Sequence, residues 1–181
     1  MEEQIMNMPA VALRGLTILP GMIAHFDISR ERSLRAVEEA MEQDQKIYLV
    51  TQRNVDSEDP TQEDLYQMGI VADIKQVVRL QNDVVRILVD GISRAALLGF
   101  TGNEKYLEAE ICYCDSNADS LPEDLREAML LGVREAFHRY AAVIGKISKE
   151  LIRQIDQYED LEKLIDYVTN NLPVSYELKQ Q

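Results

Sequence analysis

The side chains best suited to metal binding or nucleophilic chemistry are two cysteines and two histidines. Cys112 and Cys114 lie two residues apart, but the chain has no second cysteine pair and no histidine near them that could complete a four-ligand zinc site. We therefore predict that both are small apolar residues on a strand. His25 lies within an apolar run and His138 lies within a helical segment. We predict a hydrogen-bonded, structural role for His25 rather than a role as a ligand.

Phosphate-binding and nucleophile motifs are also missing from the sequence. Gly145-Lys146 is the only Gly-Lys pair, but Tyr140 replaces the first glycine of a P-loop and Ile147 replaces its hydroxyl residue. No serine has the glycine neighbours of a nucleophile elbow. With 32 acidic residues, carboxylate pairs arise by coincidence and do not indicate acid–base chemistry. We predict no catalytic, cofactor-binding or metal-binding residues.

The charge of the chain limits its partners. The 181 residues carry 19 basic and 32 acidic side chains, which give a net charge of −13. Such a surface repels phosphate backbones and anionic headgroups, so we expect no nucleic acid and no membrane partner. No uncharged apolar run is as long as a membrane span, and the N-terminus lacks the pattern of a signal peptide. These features predict a soluble, cytoplasmic protein.

The first part of the chain has the pattern of a small β-barrel. Apolar and β-branched runs predict six strands and one early amphipathic helix, from residue 29 or 30 to about 44. The strands are expected at residues 9–14, 22–28, 47–50, 69–80, 84–100 and 106–113. Pro20-Gly21 predicts a tight turn, Asn82 a left-handed hairpin residue, and Gly91 a bulge or bend. The uninterrupted apolar run 47–50 indicates a strand covered on both faces.

The composition changes to helical patterns after Asp115. Ser120 and Glu123 form a predicted capping box, with Pro122 in the first turn of a helix that continues to about residue 144. Its core stripe is expected to consist of Leu125, Met129, Val133, Ala136, Tyr140 and Val143 or Ile144. A second helix capped by Ser148 and a third ending at Asn171 complete a predicted bundle.

The domain boundary is expected at this change of composition. Residues 1–115 would form the barrel, and residues 116–181 a helical subdomain that is truncated in its last helix. The final segment, PVSYELKQQ, resembles the start of a capped helix. We expect this segment either to dock on the bundle or to continue in a longer protein, because so short an isolated helix is only marginally stable.

Two long blocks of the sequence resemble one known family. Residues 13–52, LRGLTILPGMIAHFDISRERSLRAVEEAMEQDQKIYLVTQ, closely resemble the N-terminal domain of the Lon family of ATP-dependent serine proteases. Residues 64–95, DLYQMGIVADIKQVVRLQNDVVRILVDGISRA, resemble the second block of that domain, and residues 154–181 are similar to its helical region. Two departures are the Asn82-Asp83 hairpin, where the family usually has a glycine, and a more polar strand at residues 23–26.

The resemblance implies both a fold and a role. The fold would be α+β: a PUA-like small β-barrel of about six strands with one helix, followed by an α-helical bundle subdomain. The domain would bind unfolded, damaged or short-lived regulatory proteins through their exposed hydrophobic segments. It would deliver them to the ATPase and protease modules of a homohexamer, so ATP, magnesium and a Ser-Lys dyad would belong to the parent protein and not to this fragment.

The candidate substrate-binding residues lie at the predicted Pro20-Gly21 turn, the first turn of the barrel. Leu19, Pro20, Met22 and Ile23 are apolar residues at a loop, where barrels expose apolar side chains. Leu19 and Met22 could equally cap the barrel core. An alternative role for the whole fragment is assembly of the hexamer, carried by the helical half with little contact to substrates.

Overall fold

The structure is a computed structural model that describes residues 5–114 and 118–180. Its six strands are β1 (Ile5–Leu13), β2 (Ile23–Ile28), β3 (Lys46–Thr51), β4 (Met68–Arg79), β5 (Val85–Phe100) and β6 (Glu108–Tyr113). Its α-helices are α1 (Glu31–Glu42), α2 (Glu123–Ile144), α3 (Lys149–Gln157), α4 (Leu161–Asn171) and α5 (Tyr176–Gln180). Short 3₁₀ turns lie at Gln62–Asp64 and Ala118–Ser120. The predicted α+β class is confirmed.

The described residues form two compact units. One contains residues 5–114 and 174–180, and the other contains residues 118–173. The sequence-based division assigned 116–181 to the helical subdomain, whereas the last residues belong to the barrel unit. The reason is a set of hydrogen bonds from α5 to the strands. Thr17 Oγ1 donates to the Tyr176 carbonyl at 3.3 Å, and Gln180 Nε2 donates to the Met68 carbonyl at 2.8 Å.

The six strands form one mixed sheet in the order β2-β5-β4-β3-β1-β6, with a further pairing of β5 to β6. That pairing closes the sheet into a barrel of β1, β3, β4, β5 and β6. The β1–β3 pair is parallel and the other pairs are antiparallel. β2 and β6 share one edge of β5: β2 pairs with residues 85–90 and β6 with residues 95–100.

The central strands are buried on both faces. Along β3, Ile47 and Leu49 belong to one hydrophobic cluster, which includes Val37 of α1, while Tyr48 and Val50 belong to a second cluster. This confirms the prediction made from the uninterrupted apolar run, since each face of the strand has its own cover. The buried hydroxyl group of Tyr48 is satisfied by a hydrogen bond that it donates to the Ala95 carbonyl at 3.0 Å. Burial also raises the pKa of that phenol.

Local turn chemistry agrees with the predictions made for the hairpin and the first turn. Asn82 and Asp83 both have positive φ, 58° and 57°, as a type I′ hairpin requires. In the turn of residues 19–22, Pro20 precedes Gly21, which has a φ of 71°, and the Met22 amide donates to the Leu19 carbonyl at 3.1 Å. This is the pattern of a type II turn.

The helical unit has its own core and its own caps. Ser148 Oγ accepts a hydrogen bond from the Leu151 amide at 3.2 Å, which confirms the predicted cap of α3. The prediction of a capping box at the start of α2 was wrong. Pro122 is the N-cap residue and provides no side-chain bond, while Ser120 ends the preceding 3₁₀ turn.

The predicted core stripe of α2 was also wrong. Its buried residues are Leu130, Phe137 and Ala141, whereas most of the expected stripe is exposed. The exposed apolar residues of this helix are Leu125, Met129, Leu131, Val143 and Ile144. The apolar residues of α2 lie on nearly all sides of the helix, so helical spacing alone could not identify the face that is buried.

Gly91 forms the bend of β5. The register of β5 against β4 shifts at this point, because Val71 pairs with Ser93 while Ala72 pairs with Gly91. This confirms the predicted bulge. A Cβ atom added to Gly91 would lie 2.4 Å from the Leu19 carbonyl oxygen. Glycine is therefore required here because the first turn approaches the strand too closely for any side chain.

Replacing Gly91 with alanine should destabilise the barrel by about 1–3 kcal/mol, since backbone must move to admit the methyl group. Urea unfolding followed by circular dichroism measures this change. Gly132→Ala is the matched control: Gly132 is exposed in α2, and an added Cβ has no heavy atom within 4 Å. That substitution should stabilise the chain by about 0.5–1 kcal/mol. Equal midpoints for Gly91→Ala and the unaltered chain would contradict the close approach.

Candidate substrate-binding surface

The first turn is fixed on the bend of β5 by two backbone hydrogen bonds. The Gly21 amide donates to the Gly91 carbonyl at 2.8 Å, and the Gly91 amide donates to the Met22 carbonyl at 3.0 Å. These bonds attach the turn to β5 in the same way that backbone hydrogen bonds join two strands. Its side chains have defined directions, which is what a binding surface requires.

The four candidate residues occupy different environments. Leu19 is buried, and Pro20 and Met22 are half-buried, with Met22 packed against the core cluster that contains Val37. Ile23 is 68% exposed at the start of β2. The turn thus divides its apolar residues between packing inside and exposure outside, and Ile23 is the member most available to a partner.

Three apolar residues of β2 and β5 lie around a charged one. Ile23 pairs with Asp90, whose carboxylate lies 3.8 Å from Lys75 Nζ. Leu88 and Ile92 lie two residues before and after Asp90 along β5, and Ile92 is 46% exposed. We call Ile23, Leu88 and Ile92 the β2–β5 surface. Sequence reasoning missed Leu88 and Ile92, because the bulge after Gly91 determines which side chains of β5 face outward.

Polar groups border this surface. Arg86 donates to both carboxylate oxygens of Asp27, at 2.6 and 2.9 Å, and this hydrogen bonding holds the pKa of Asp27 below its usual range. His25 lies on the same exposed face of β2, and its side chain makes no hydrogen bond to any described residue. The prediction of a hydrogen-bonded, structural His25 was therefore wrong. The histidine that is paired is His138, whose Nε2 lies 2.8 Å from Asp156 Oδ1.

A gap opens between β1 and β2. Because β6 pairs with β1 only through residues 5–9, and β2 pairs with β5 and with no other described strand, the last residues of β1 have no strand neighbour on that side. A cavity of about 150 Å³ lies in this gap. Its walls come from the end of β1, the end of β2 and the first turn of α1.

A buried polar network supports the mouth of this gap. Gln52 is fully buried, and its amide donates to the carbonyls of Asn54 and Ser57, both at 3.0 Å. Its carbonyl accepts from Arg30 Nη1 at 2.9 Å. The Ser57 carbonyl also accepts from Arg14 and Arg30, at 3.0 and 2.9 Å. Burial lowers the pKa of the Arg30 guanidinium, and the positive charge of Arg14 adds to that effect.

Other candidate chemistry does not come together in the folded chain. Over residues 5–114 and 118–180, no group of three His, Cys, Asp or Glu side chains could hold a metal ion. Cys112 is half-buried on β6, and Cys114 is exposed just beyond the strand, with Sγ 3.6 Å from the Met68 sulfur. In the same parts of the chain, no helix is both long and apolar enough to cross a bilayer.

The chain thus combines a closed mixed barrel, whose apolar turn is fixed to the sheet, with a second, helical unit. The sequence profile of the ATP-dependent protease La (LON) substrate-binding domain matches residues 7–181. The chain belongs to the LON substrate-binding domain family.

Relatives and solved structures agree with this assignment. The chain is 36% identical over 180 residues to the Lon protease of Lachnoclostridium phytofermentans, and 34% identical over 178 residues to that of Clostridioides difficile. These matches cover 99% and 97% of this chain but only 22% and 23% of those proteins, so the chain spans about a fifth of their length. The N-terminal domain of a Mycobacterium avium complex Lon protease has the same fold, with a TM-score of 0.76. That match covers 97% of this chain and 88% of that one at 17% identity.

Replacing Gln52 with alanine should loosen the mouth of the gap. The substitution leaves Arg30 Nη1 without its acceptor and removes the side-chain donor of the Asn54 carbonyl, so we expect a loss of about 1–3 kcal/mol in unfolding free energy and faster proteolysis within residues 53–59. Gln62→Ala is the control, because its exposed amide makes one bond, to the Leu98 carbonyl at 3.0 Å. Its effect should stay within about 0.5 kcal/mol. Equal losses for the two variants would show that the network does not hold the loop.

Proposed function

We propose that this domain captures exposed hydrophobic segments of damaged, misfolded and short-lived regulatory proteins for a Lon-type protease. The observation that carries the proposal is the β2–β5 surface, an apolar patch on a rigid strand pair beside a turn that is fixed to the sheet. Membership in the LON substrate-binding family supports binding of protein substrates. The apolar patch adds a place where an unfolded chain could lie.

The rest of the reaction would take place outside these residues. We infer a cytoplasmic parent protein with an ATPase module that uses ATP and magnesium and a serine protease module, since the matched relatives are Lon proteases several times longer than this chain. Six copies of the domain in a ring would raise the effective concentration of binding surfaces, so that each surface can bind weakly and release its substrate readily.

Within the surface, the contributions of the four candidate residues should differ. Ile23 would contact the substrate directly, with Pro20 and Met22 bordering it. Leu19 would act through packing, because its side chain is buried beneath the turn. A charge at Met22 should therefore reduce stability as well as binding, whereas a charge at Ile23 should reduce binding alone.

Replacing Ile23 with lysine should weaken substrate binding roughly tenfold, the value of burying one large aliphatic side chain, without lowering the melting temperature. Fluorescence anisotropy with a labelled, unstructured peptide that has an apolar centre and an amidated C-terminus measures binding. Leu98→Lys is the control, since it puts the same charge on an exposed position of β5, roughly 20 Å along the strand from Ile92. If both variants bind as the unaltered chain does, the β2–β5 surface is not the site of capture.

A second candidate function, assembly of the parent oligomer, is favoured by α2. Leu125 and Met129 lie four residues apart on one face of the helix, and Val143 lies about four turns beyond Met129 near the same face. All three are exposed, Val143 by 85%. An apolar stripe of this kind on one long helix is typical of a contact with another helix. The two functions can coexist, because α2 and the β2–β5 surface belong to different units of the chain.

Replacing Met129 with glutamate should therefore abolish any concentration-dependent self-association of the chain in sedimentation velocity, since it places a charge in the middle of the stripe. Ile165→Glu in α4 is the control, because Ile165 has a similar exposure, 39% against 41%. Association that survives Met129→Glu unchanged would exclude α2 as the contact, and a chain that is monomeric at all concentrations would remove the support for this function.

A further inference from the structure

The backbone groups of β2 point alternately toward β5 and away from it. The Gly91 amide donates to the Met22 carbonyl at 3.0 Å, which places these two residues in a hydrogen-bonded pair of the antiparallel ladder. The register then continues without a shift from residue 23 to residue 28. Because hydrogen-bonded pairs alternate with pairs whose groups face away, the even-numbered residues of β2 bond to β5 and the odd-numbered ones point outward.

The outward groups form an open edge of the sheet. They belong to Ile23, His25 and Asp27, whose side chains are also exposed. β2 is the last strand in the order of the sheet, and no hydrogen bond reaches the outward amides and carbonyls from residues 5–114 or 118–180. We call these backbone groups the free edge of β2.

Ala12 of β1 also has backbone groups that point away from a paired strand. In the parallel pair with β3, the Leu13 carbonyl accepts from the Gln52 amide at 2.8 Å. The Ala10 amide points to the other side and donates to the Leu107 carbonyl at 2.7 Å. The same alternation directs the amide and carbonyl of Ala12 away from β3. Over the described residues, neither of these groups has a hydrogen-bond partner on that side.

The cavity of about 150 Å³ brings the two sets of backbone groups to one place, since both Ala12 and Asp27 line it. Ala12 is only 6% exposed, so its unpaired groups are removed from bulk water. Buried backbone groups without partners cost free energy, and a ligand that carries its own amides and carbonyls would recover that cost. A polypeptide backbone is such a ligand.

The spacing and charge of the edge favour an extended, unfolded chain as the partner. The free edge repeats every second residue, or about 6.7 Å, which is the repeat of another β-strand. Folded proteins protect their own strand edges, whereas an unfolded segment keeps its amides and carbonyls accessible. A second copy of this chain is disfavoured, because two molecules with a net charge of −13 repel each other. The edge also begins at Ile23, so it is continuous with the β2–β5 surface.

We propose that an extended segment of an unfolded protein adds to the free edge of β2 as a further strand of the sheet. Its amides donate to the carbonyls of Ile23, His25 and Asp27, and its carbonyls accept from the amides of the same residues. The paired segment is about five residues long, the length of the edge. Main-chain hydrogen bonds of this kind give affinity without requiring a particular sequence, which suits a domain that meets many different substrates.

This inference rests on the proposed function, since it describes how the captured segment is held. The β2–β5 surface would bind the apolar side chains of the segment, and the free edge would bind its backbone. The two contributions can be separated, because methylation of peptide nitrogens removes backbone donors and keeps every side chain.

The first experiment uses the 181-residue chain and the labelled, amidated peptide with an apolar centre. Methylation of five consecutive backbone nitrogens in the centre should weaken binding at least tenfold in fluorescence anisotropy, since two or more hydrogen bonds to the free edge are lost. The matched control is the same peptide with five methyl groups on the backbone nitrogens of one polar flank. It should bind as the unmodified peptide does.

Amide hydrogen exchange, measured by NMR on the isotopically labelled chain, locates the contact. Without peptide, the amides of Ile23, His25 and Asp27 should exchange rapidly, while those of Ala24 and Phe26 are protected by their bonds to β5. Saturation with the unmodified peptide should slow exchange at the three outward amides at least tenfold. This alternating pattern is specific to strand addition, because contact with side chains alone protects no such set.

His25→Pro tests the edge from the side of the protein. Proline is tolerated in an edge strand where the N–H group faces solvent, so this variant should keep its fold and melting temperature while binding the peptide about tenfold more weakly. Ala24→Pro is the comparison for stability: it removes a bond to β5 and should lower the melting temperature. If His25→Pro does not fold, the methylated peptides and hydrogen exchange decide the question by themselves.

Three results would overturn the proposal. Equal affinity for the centre-methylated and unmodified peptides would exclude backbone pairing. Unchanged affinity in a folded His25→Pro variant would place the segment elsewhere. Protection of the three outward amides that rises with chain concentration, in the absence of peptide, would assign the free edge to a second copy of the chain.

Ile23→Lys separates this inference from the proposed function, because it changes the side chain and keeps the amide and carbonyl. Loss of binding in Ile23→Lys, with equal affinity for the two methylated peptides, would leave the proposed function standing and refute strand addition. Weaker binding of the centre-methylated peptide, with no effect of Ile23→Lys, would support strand addition and refute the β2–β5 surface.

Discussion

The close approach of the first turn to Gly91 is the constraint on which the barrel unit depends. The Leu19 carbonyl oxygen occupies the space of a side chain on β5, and two backbone hydrogen bonds hold the turn there. The bulge at this point changes the face of β5 that is buried. Before it, Ile87 and Val89 pack in one core cluster, and after it Ala95 and Leu97 pack in the other. One strand thereby serves two hydrophobic cores.

The exposed Ile23 and the cavity beside β1 both follow from the same bend. β2 and β6 share an edge of β5 on either side of Gly91, and β6 alone continues to β1. The strand that lacks this connection, β2, exposes Ile23 on one side and leaves the gap toward β1 on the other. A strand edge without a partner is a liability for a stable protein, which makes it a natural place for a binding function. The cavity and the apolar surface are thus two consequences of one open position in the barrel.

The sequence predicted those features that depend on local chemistry. The Pro20-Gly21 turn, the Asn82 hairpin, the Ser148 cap and the bulge at Gly91 each follow from the backbone geometry that one or two residues favour. Features that depend on packing between distant residues could not be predicted in this way. The apolar residues of α2 lie on nearly all sides of the helix, so packing against α3 and α4 determines which face is buried. Likewise, the attachment of the final residues to the barrel depends on hydrogen bonds to Thr17 and Met68, which are remote in sequence.

The same distinction applies to the candidate binding residues. An apolar turn can be proposed from sequence, since Leu19, Pro20, Met22 and Ile23 lie together, but only the structure shows that Leu19 is buried while Ile23 is exposed. The cavity at the start of α1 could not be predicted in this way, because its lining combines Arg14, just after β1, with Ser33 of α1. Each is an ordinary polar residue in the sequence. Only the pairing of β1 with β3 and the packing of α1 beside these strands bring the two residues to one place.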